Sequence, residues 1–510
     1  MLKISGLMYE EHLTKKSIFF SWQTLILLFA FFAIRFLSYY LQGEEIIQAL
    51  IIFCLIMLLG ILYFKNPDWA LYLVIMEMFL GGSGHFLEFV GLSIRTMMIG
   101  FYLFLWLADQ IGNHALKQKI NINSSLGVLL IVFCVFLFLS AVNGFLHNNS
   151  AVYIIQNIIP YFFLILLFPS FHIFQDERTQ RFLVRNLLVF IIGSAFLSLA
   201  IFIFYSGGFG ALQDGFYHWY RDIALGKITN IGNGFFRIVE PEHLLLVPFI
   251  LILTSLLMRD EKHHIMWRII AICALIPLAI NLSRGYFLAL AIGLLVLKYK
   301  HRFHRWLIVS LSTLGILLLI FITLSLLASQ GQTMGLELLG IRIISLTNPQ
   351  IEISTATRMM ILPNILEIIK NNPLLGAGLG STVTFFNSLI YDQVTTRQFD
   401  WGYLQMWVEL GLFGLLSFLS IVFFAISRLM QKIRSYADYH DFDVGLLAGL
   451  IAFLIINITA PALFHIFGIV YIIFASTIAL KPDQNTFQRL IDILYQVFRR
   501  LKEIKNQPSA

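Results

Sequence analysis

Arg284 stands in the run Asn281-Leu-Ser-Arg-Gly-Tyr, where an apolar stretch begins. A helix starting there offers free N–H groups and a partial positive charge, and a guanidinium beside them suits a phosphate. Gly285 next to it leaves the backbone open to a ligand. Arg237 shortly precedes another apolar stretch, Arg358 opens a helical stretch within a loop, and Arg397 lies three residues before Asp400. Several arginines around one cavity hold a diphosphate through paired N–H bonds that lysine cannot copy. Taken singly, each suits an ordinary loop ion pair equally well, and Arg284 a contact with lipid headgroups. Asp400, three residues beyond Arg397, precedes another apolar stretch, where its carboxylate can take a proton from an attacking hydroxyl or simply cap a helix. Glu409 lies about two and a half helical turns further on, as a ligand contact or a buried structural acid. Gly376, Gly378 and Gly380, in the run NPLLGAGLG, permit positive φ or close approach of a ligand. Arg284, Arg358 and Asp400 are thus the candidate catalytic residues, and Arg237, Arg397, Gly285, Gly376, Gly378 and Glu409 the candidate binding residues.

The elements that position these groups are dictated by an unusually apolar chain. Of 510 residues, 59% are hydrophobic, 15% aromatic and only 12% charged, a composition that cannot be hidden from water in a soluble fold. Forty-nine phenylalanines fit lipid contact and interfacial belts. Disorder, collagen and nucleic-acid binding are excluded, and no P-loop, GxGxxG, HExxH or CxxC pair supplies a nucleotide, metal or other cofactor site. The three cysteines, Cys54, Cys134 and Cys273, all lie in apolar runs and read as small buried hydrophobes.

A bilayer core of about 30 Å needs roughly 20 apolar residues per helix. Fourteen stretches approach that length: 19–40, 46–64, 68–82, 93–109, 126–143, 152–173, 183–205, 241–258, 267–281, 284–298, 306–328, 403–427, 443–461 and 464–480. With the N-terminus in the cytoplasm, 25 of the 35 Lys and Arg fall on the cytoplasmic side and 9 outside, Arg35 being left within a span. That bias predicts a multi-pass protein of the cytoplasmic membrane with both termini inside, the first span retained as an anchor. Two long outer segments result, 207–240 and 329–402. The second holds a helical stretch, Thr357 to Asn371, with Pro363 starting its regular part. It serves as an interfacial cap on the bundle or as a lid over an outward site. The organisation is an N-terminal bundle at 1–206, a core at 207–430, further helices at 431–480 and a basic amphipathic tail at 481–510 suited to the anionic inner leaflet.

NLSRGYFLALAIGLLVL, TRMMILPNILEIIKNNPLLGAGLGS and DWGYLQMWVELGLFGLLSFL follow, in order, the pattern of the O-antigen ligase and O-antigen polymerase superfamily, which residues 235 to 430 resemble. The resemblance implies an all-α polytopic bundle like that of C-type glycosyltransferases, acting without a metal on an undecaprenyl-diphosphate-linked glycan at the outer face. Arg284 falls on the family's Ser-Arg-Gly arginine and Arg358 on the arginine opening the loop helix, whereas Arg237 corresponds less closely because an acidic stretch follows it. At Asp400 the ligases resemble one another in carrying histidine and many polymerase-like members carry Asp, which points to a polymerase. The partners implied are membrane lipid, a chain-length regulator and a flippase. Ligase-type transfer to a lipid or protein acceptor is the alternative enzyme reading. A lipid-linked oligosaccharide flippase is the non-enzyme one, which would place its charges along a central cavity instead of at the outer ends.

Overall fold

The computed structural model describes residues 21–89, 91–112, 124–173, 177–208, 213–258, 265–348, 352–435 and 441–480. Its helices begin with α1 (Trp22–Tyr40), α2 (Glu45–Lys65), α3 (Pro67–Leu80), α4 (Ile94–Gly112), α5 (Ser124–Leu146), α6 (Ala151–Phe162), α7 (Leu167–Ile173) and α8 (Glu177–Ser206). After a short α9 (Gln213–His218) come α10 (Leu246–Leu257), α11 (Ile265–Asn281), α12 (Arg284–Leu297) and α13 (Phe303–Ala328). The chain then forms α14 (Leu336–Thr347), α15 (Ile353–Asn371), α16 (Gly402–Ser435), α17 (Asp441–Ile456) and α18 (Ile466–Ala479).

Each of the fourteen apolar stretches contains helix, so the chain is a mostly helical membrane protein. By length and apolarity, however, seven helices among the described residues qualify as membrane-crossing. Four shorter apolar helices, at Pro241–Leu257, Ile265–Asn281, Arg284–Leu297 and Ile466–Ala479, fall below the bilayer thickness. Three of these, Pro241–Leu257, Ile265–Asn281 and Arg284–Leu297, have one end beside the polar site described below.

At the centre α10 packs against α17, which also meets α12; α8 lies on α11 and α5 on α16. Small residues allow this closeness: a side chain at Gly445 would strike the backbone of Ile252, and one at Gly449 the Tyr471 hydroxyl, with Pro248 close by. Cys54 and Cys134 are exposed on the bundle's flank and Cys273 is half-buried, so the expectation of buried cysteines is corrected. A thiol is apolar enough to face lipid, and a periphery that is itself apolar gives no sequence signal separating it from the core.

Among the described residues three antiparallel hairpins interrupt the helices: β1 (Glu88–Phe89) with β2 (Leu92–Ser93), β3 (Lys227–Asn230) with β4 (Phe236–Val239), and β5 (Val383–Asn387) with β6 (Asp392–Thr396). The second and third fill parts of the long segments 207–240 and 329–402. Pro363 does not open the loop helix; it lies in the middle of α15, which starts ten residues earlier at Ile353. The basic tail lies outside the described residues.

The helix α16 is broken at Gly411, whose φ of 69° and ψ of 179° only glycine adopts readily. The loop after α15 fills the break. Leu412 N and Phe413 N, cut off from their own helix, donate to Pro373 O at 3.1 Å and Leu374 O at 3.3 Å. The two carbonyls they abandon are also taken up, Val408 O by Ala377 N at 2.7 Å and Glu409 O by the Ser140 hydroxyl at 2.6 Å. Irregular backbone inside a membrane bundle requires this kind of complete substitution.

Candidate functional site

The turn between α11 and α12 is the floor of the site. Leu282 takes a positive φ of 48°, which reverses the chain within two residues and brings Asn281 and Ser283 side by side. Arg237, on β4, reaches over this turn: its Nε donates to Asn281 O at 2.6 Å and its Nη2 to Ser283 Oγ at 2.8 Å. Burial, followed by the neighbouring positive charges of Arg342 and Arg358, pushes the Arg237 guanidinium down to about 10, with Glu352 opposing.

Arg284 begins α12 immediately after Ser283 and turns toward the 329–402 segment. Its guanidinium donates to Ser345 Oγ and, at 2.5 Å, to Thr355 Oγ1, and it pairs with Glu352 Oε2 at 3.0 Å. Arg342, one turn before Ser345 on α14, donates to the other carboxylate oxygen of Glu352. Glu352 is therefore clamped between two guanidiniums, with the Ser345 hydroxyl 3.3 Å away.

Arg358, on the first turns of α15, faces Asp400, with Nε 3.6 Å from Oδ2. That separation is too long for a hydrogen bond, and Arg358 Nε is buried without a hydrogen-bond partner. The Trp401 indole donates to Arg358 O at 3.3 Å and ties α15 to the entrance of α16. Asp400 has a left-handed φ of 55°, and α16 begins two residues later at Gly402.

Arg397 does not pair with Asp400. It lies over the Tyr153 ring, 4.3 Å from its centre, and donates to Gln156. Glu409 is buried and accepts from Asn157 Nδ2 and Gln405 Nε2, each at 3.0 Å. It sits two residues before the Gly411 break, held by protein groups on both sides.

The glycines serve packing. A Cβ at Gly285 would overlap the Thr459 hydroxyl. One at Gly376 would stand 2.5 Å from Val408 O, and one at Gly378 would enter the backbone of Asn143 and Gly144 on α5. The space expected for a ligand is filled, and the positive φ values of Gly376 and Gly378, 70° and 85°, thread the loop between α5 and α16.

Four arginines thus share one end of the bundle: Arg237, Arg284, Arg342 and Arg358, each within electrostatic reach of at least two others. Arg342 and Glu352 were not singled out in the sequence, where nothing set them apart from other loop charges. The 281–284 and 357–358 motifs were their only available signposts.

A second polar group missed in the sequence adjoins the site. Arg35, left unexplained within a span, pairs with Glu242 at 2.9 Å and donates to Leu80 O at 2.8 Å. Next to Glu242, His243 meets Asn281 Nδ2 at 2.9 Å and Ser198 Oγ at 3.2 Å, while Glu240 accepts from Tyr220 at 3.1 Å. The acidic stretch following Arg237 is therefore a buried support beneath the arginine floor.

Residues 269–419 match the family model described as O-antigen ligase, which supports placing the chain in the O-antigen ligase and polymerase superfamily. The match spans Arg284, Arg342, Arg358, Asp400 and the broken part of α16, and leaves out Arg237. No curated protein and no solved structure matches the chain.

Proposed function

We propose that the protein polymerises undecaprenyl-diphosphate-linked oligosaccharide repeat units into a surface polysaccharide at the outer face of the cytoplasmic membrane. The observation that carries this reading is the juxtaposition of an arginine cluster with the carboxylate of Asp400, which faces a donor on Arg358 that has no hydrogen-bond partner. In this mechanism a hydroxyl of one glycan attacks the anomeric carbon of another. The bond from that carbon to the diphosphate oxygen breaks, and the electron pair leaves with undecaprenyl diphosphate. Asp400 takes the proton of the attacking hydroxyl, and the arginines stabilise the charge that develops on the leaving group. Bidentate guanidiniums suit that task and need no metal. Both termini then lie in the cytoplasm, with 207–240 and 329–402 outside.

The reading rests on Asp400 standing where ligase-like members carry histidine, and on the family match at residues 269–419. Ligase-type transfer to a lipid or protein acceptor is the second reading, favoured by the description of the matched family. Purified protein given a polyprenyl-diphosphate-linked oligosaccharide separates the two. Polymerisation yields a ladder of products spaced by one repeat; a single block appearing only when a foreign acceptor is added overturns it in favour of ligation. No product and transbilayer movement of the lipid would overturn both in favour of a flippase.

A further inference from the structure

Glu352 is difficult to explain as part of a diphosphate site, because it puts a negative charge where anion binding needs a positive one. Its carboxylate takes Arg284 Nη2 at 3.0 Å on one oxygen and Arg342 on the other, with the Ser345 hydroxyl 3.3 Å away. Two guanidiniums and a hydroxyl converging on two oxygens form the donor set a phosphate group requires. Arg342 and Ser345 are buried, so these donors are fixed by packing on α14, while Glu352 lies just before the first residue of α15.

We infer that Arg342 is a further residue of the anion site and that Glu352 is its resident counter-ion, occupying the place of a donor phosphate until a diphosphate displaces it. This rests on the reading that the arginine cluster binds the diphosphate of the donor. Charge balance supports the exchange. With Glu352 in place, Arg237, Arg284, Arg342 and Arg358 face Glu352 and Asp400, a surplus of two positive charges. With Glu352 displaced the surplus is three while Asp400 is ionised, which exceeds the two negative charges of the diester donor and leaves room for the up to three of the departing diphosphate monoester. The site then favours the departing group over the diester substrate, which is the differential needed to accelerate transfer. In the ligand-free protein Glu352 keeps the arginines from repelling one another.

The test measures binding of inorganic pyrophosphate to the purified full chain in detergent, with melting temperature as the check on folding. Glu352→Gln removes the competing charge but keeps an oxygen that Arg284 and Arg342 can bond, so it should bind pyrophosphate about tenfold more tightly, as removal of a competing bound state requires. Arg342→Gln should bind it about tenfold more weakly, and Glu352→Asp should stay close to wild type. If wild type binds pyrophosphate and Glu352→Gln does so equally or less well, the counter-ion role is overturned while the diphosphate site stands. If Arg342→Gln matches wild type, Arg342 is not part of the site. If neither wild type nor Glu352→Gln binds pyrophosphate, the diphosphate site itself falls. Should Glu352→Gln fail to fold, Glu352→Ser, which also removes the charge, is read by the same outcomes.

Discussion

Arg358 Nε and Asp400 Oδ2 face each other at 3.6 Å between α15 and the entrance to α16, without a hydrogen bond joining them. A buried donor with no acceptor is costly, and under the proposed reaction it is the group left open for a ligand oxygen. The position of Asp400 also decides how it can be tested. At a φ of 55° an alanine would add backbone strain, whereas asparagine tolerates that conformation. Asp400→Asn should therefore fold normally, retain the lipid-linked donor and lose about 100- to 10,000-fold in transfer rate. Full polymer yield from the purified variant would remove Asp400 from the chemistry.

Arg284→Lys and Arg358→Lys should keep the bundle intact and lose most polymer. Arg284 spreads its nitrogens over Ser345, Thr355 and Glu352, and a single ammonium cannot reach all three. Polymer length and yield at equal expression is the readout, and normal product from both would reduce these arginines to topology signals.

Gly411→Ala should lower the melting temperature and the folded yield in detergent. The substitution forces a side chain into a glycine-only conformation, costing about 1–3 kcal/mol, and drives its Cβ into Leu374 and Leu375. Unchanged stability would mean that α16 can close up and dispense with the inserted loop.

Arg35→Met leaves Glu242 buried without its guanidinium and should cost roughly 3–5 kcal/mol. Arg35→Met combined with Glu242→Gln should recover part of the loss, since no bare charge remains. Additive losses in this double-mutant cycle would show that the two residues act separately.

Cysteines introduced at Ser354 and Gln393 should react with an impermeant reagent applied outside the cell. This follows from the distribution of Lys and Arg, 25 inside against 9 outside. Labelling of both only after permeabilisation would invert the topology.

The helices were legible because apolar length is a local property, and every stretch read from composition contains one. Pro363 shows where local reading failed: the residue looked like a helix start, yet tertiary packing against β5 and α16 holds a helix on both sides of it. Arg284, Arg358 and Asp400 stood out as candidates because charge is rare in this chain. The pairing of Asp400 was not, since Arg397 is nearer in sequence but Arg358 is nearer in space. The glycines misled for a related reason, because close approach by a ligand and close approach by another helix demand the same missing Cβ. Glu352 and Arg342 carried no signal beyond their charge: they pair where the chain passes from α14 to α15, and only the tertiary contact with Arg284 on α12 makes them part of the cluster.

The Arg35–Glu242 pair joins residues 207 positions apart in the chain. During synthesis at about 5–20 residues per second, the first helix waits roughly 10–40 s before its partner carboxylate leaves the ribosome. Over that interval a guanidinium lies in a membrane-bound helix with no counter-charge from α10's entrance, so early helices must stay near the insertion machinery or recruit lipid phosphate to it. Final seating of α1 is thereby made conditional on arrival of the segment that also carries Arg237, and a chain truncated before Glu242 should be recognised as unfinished and degraded.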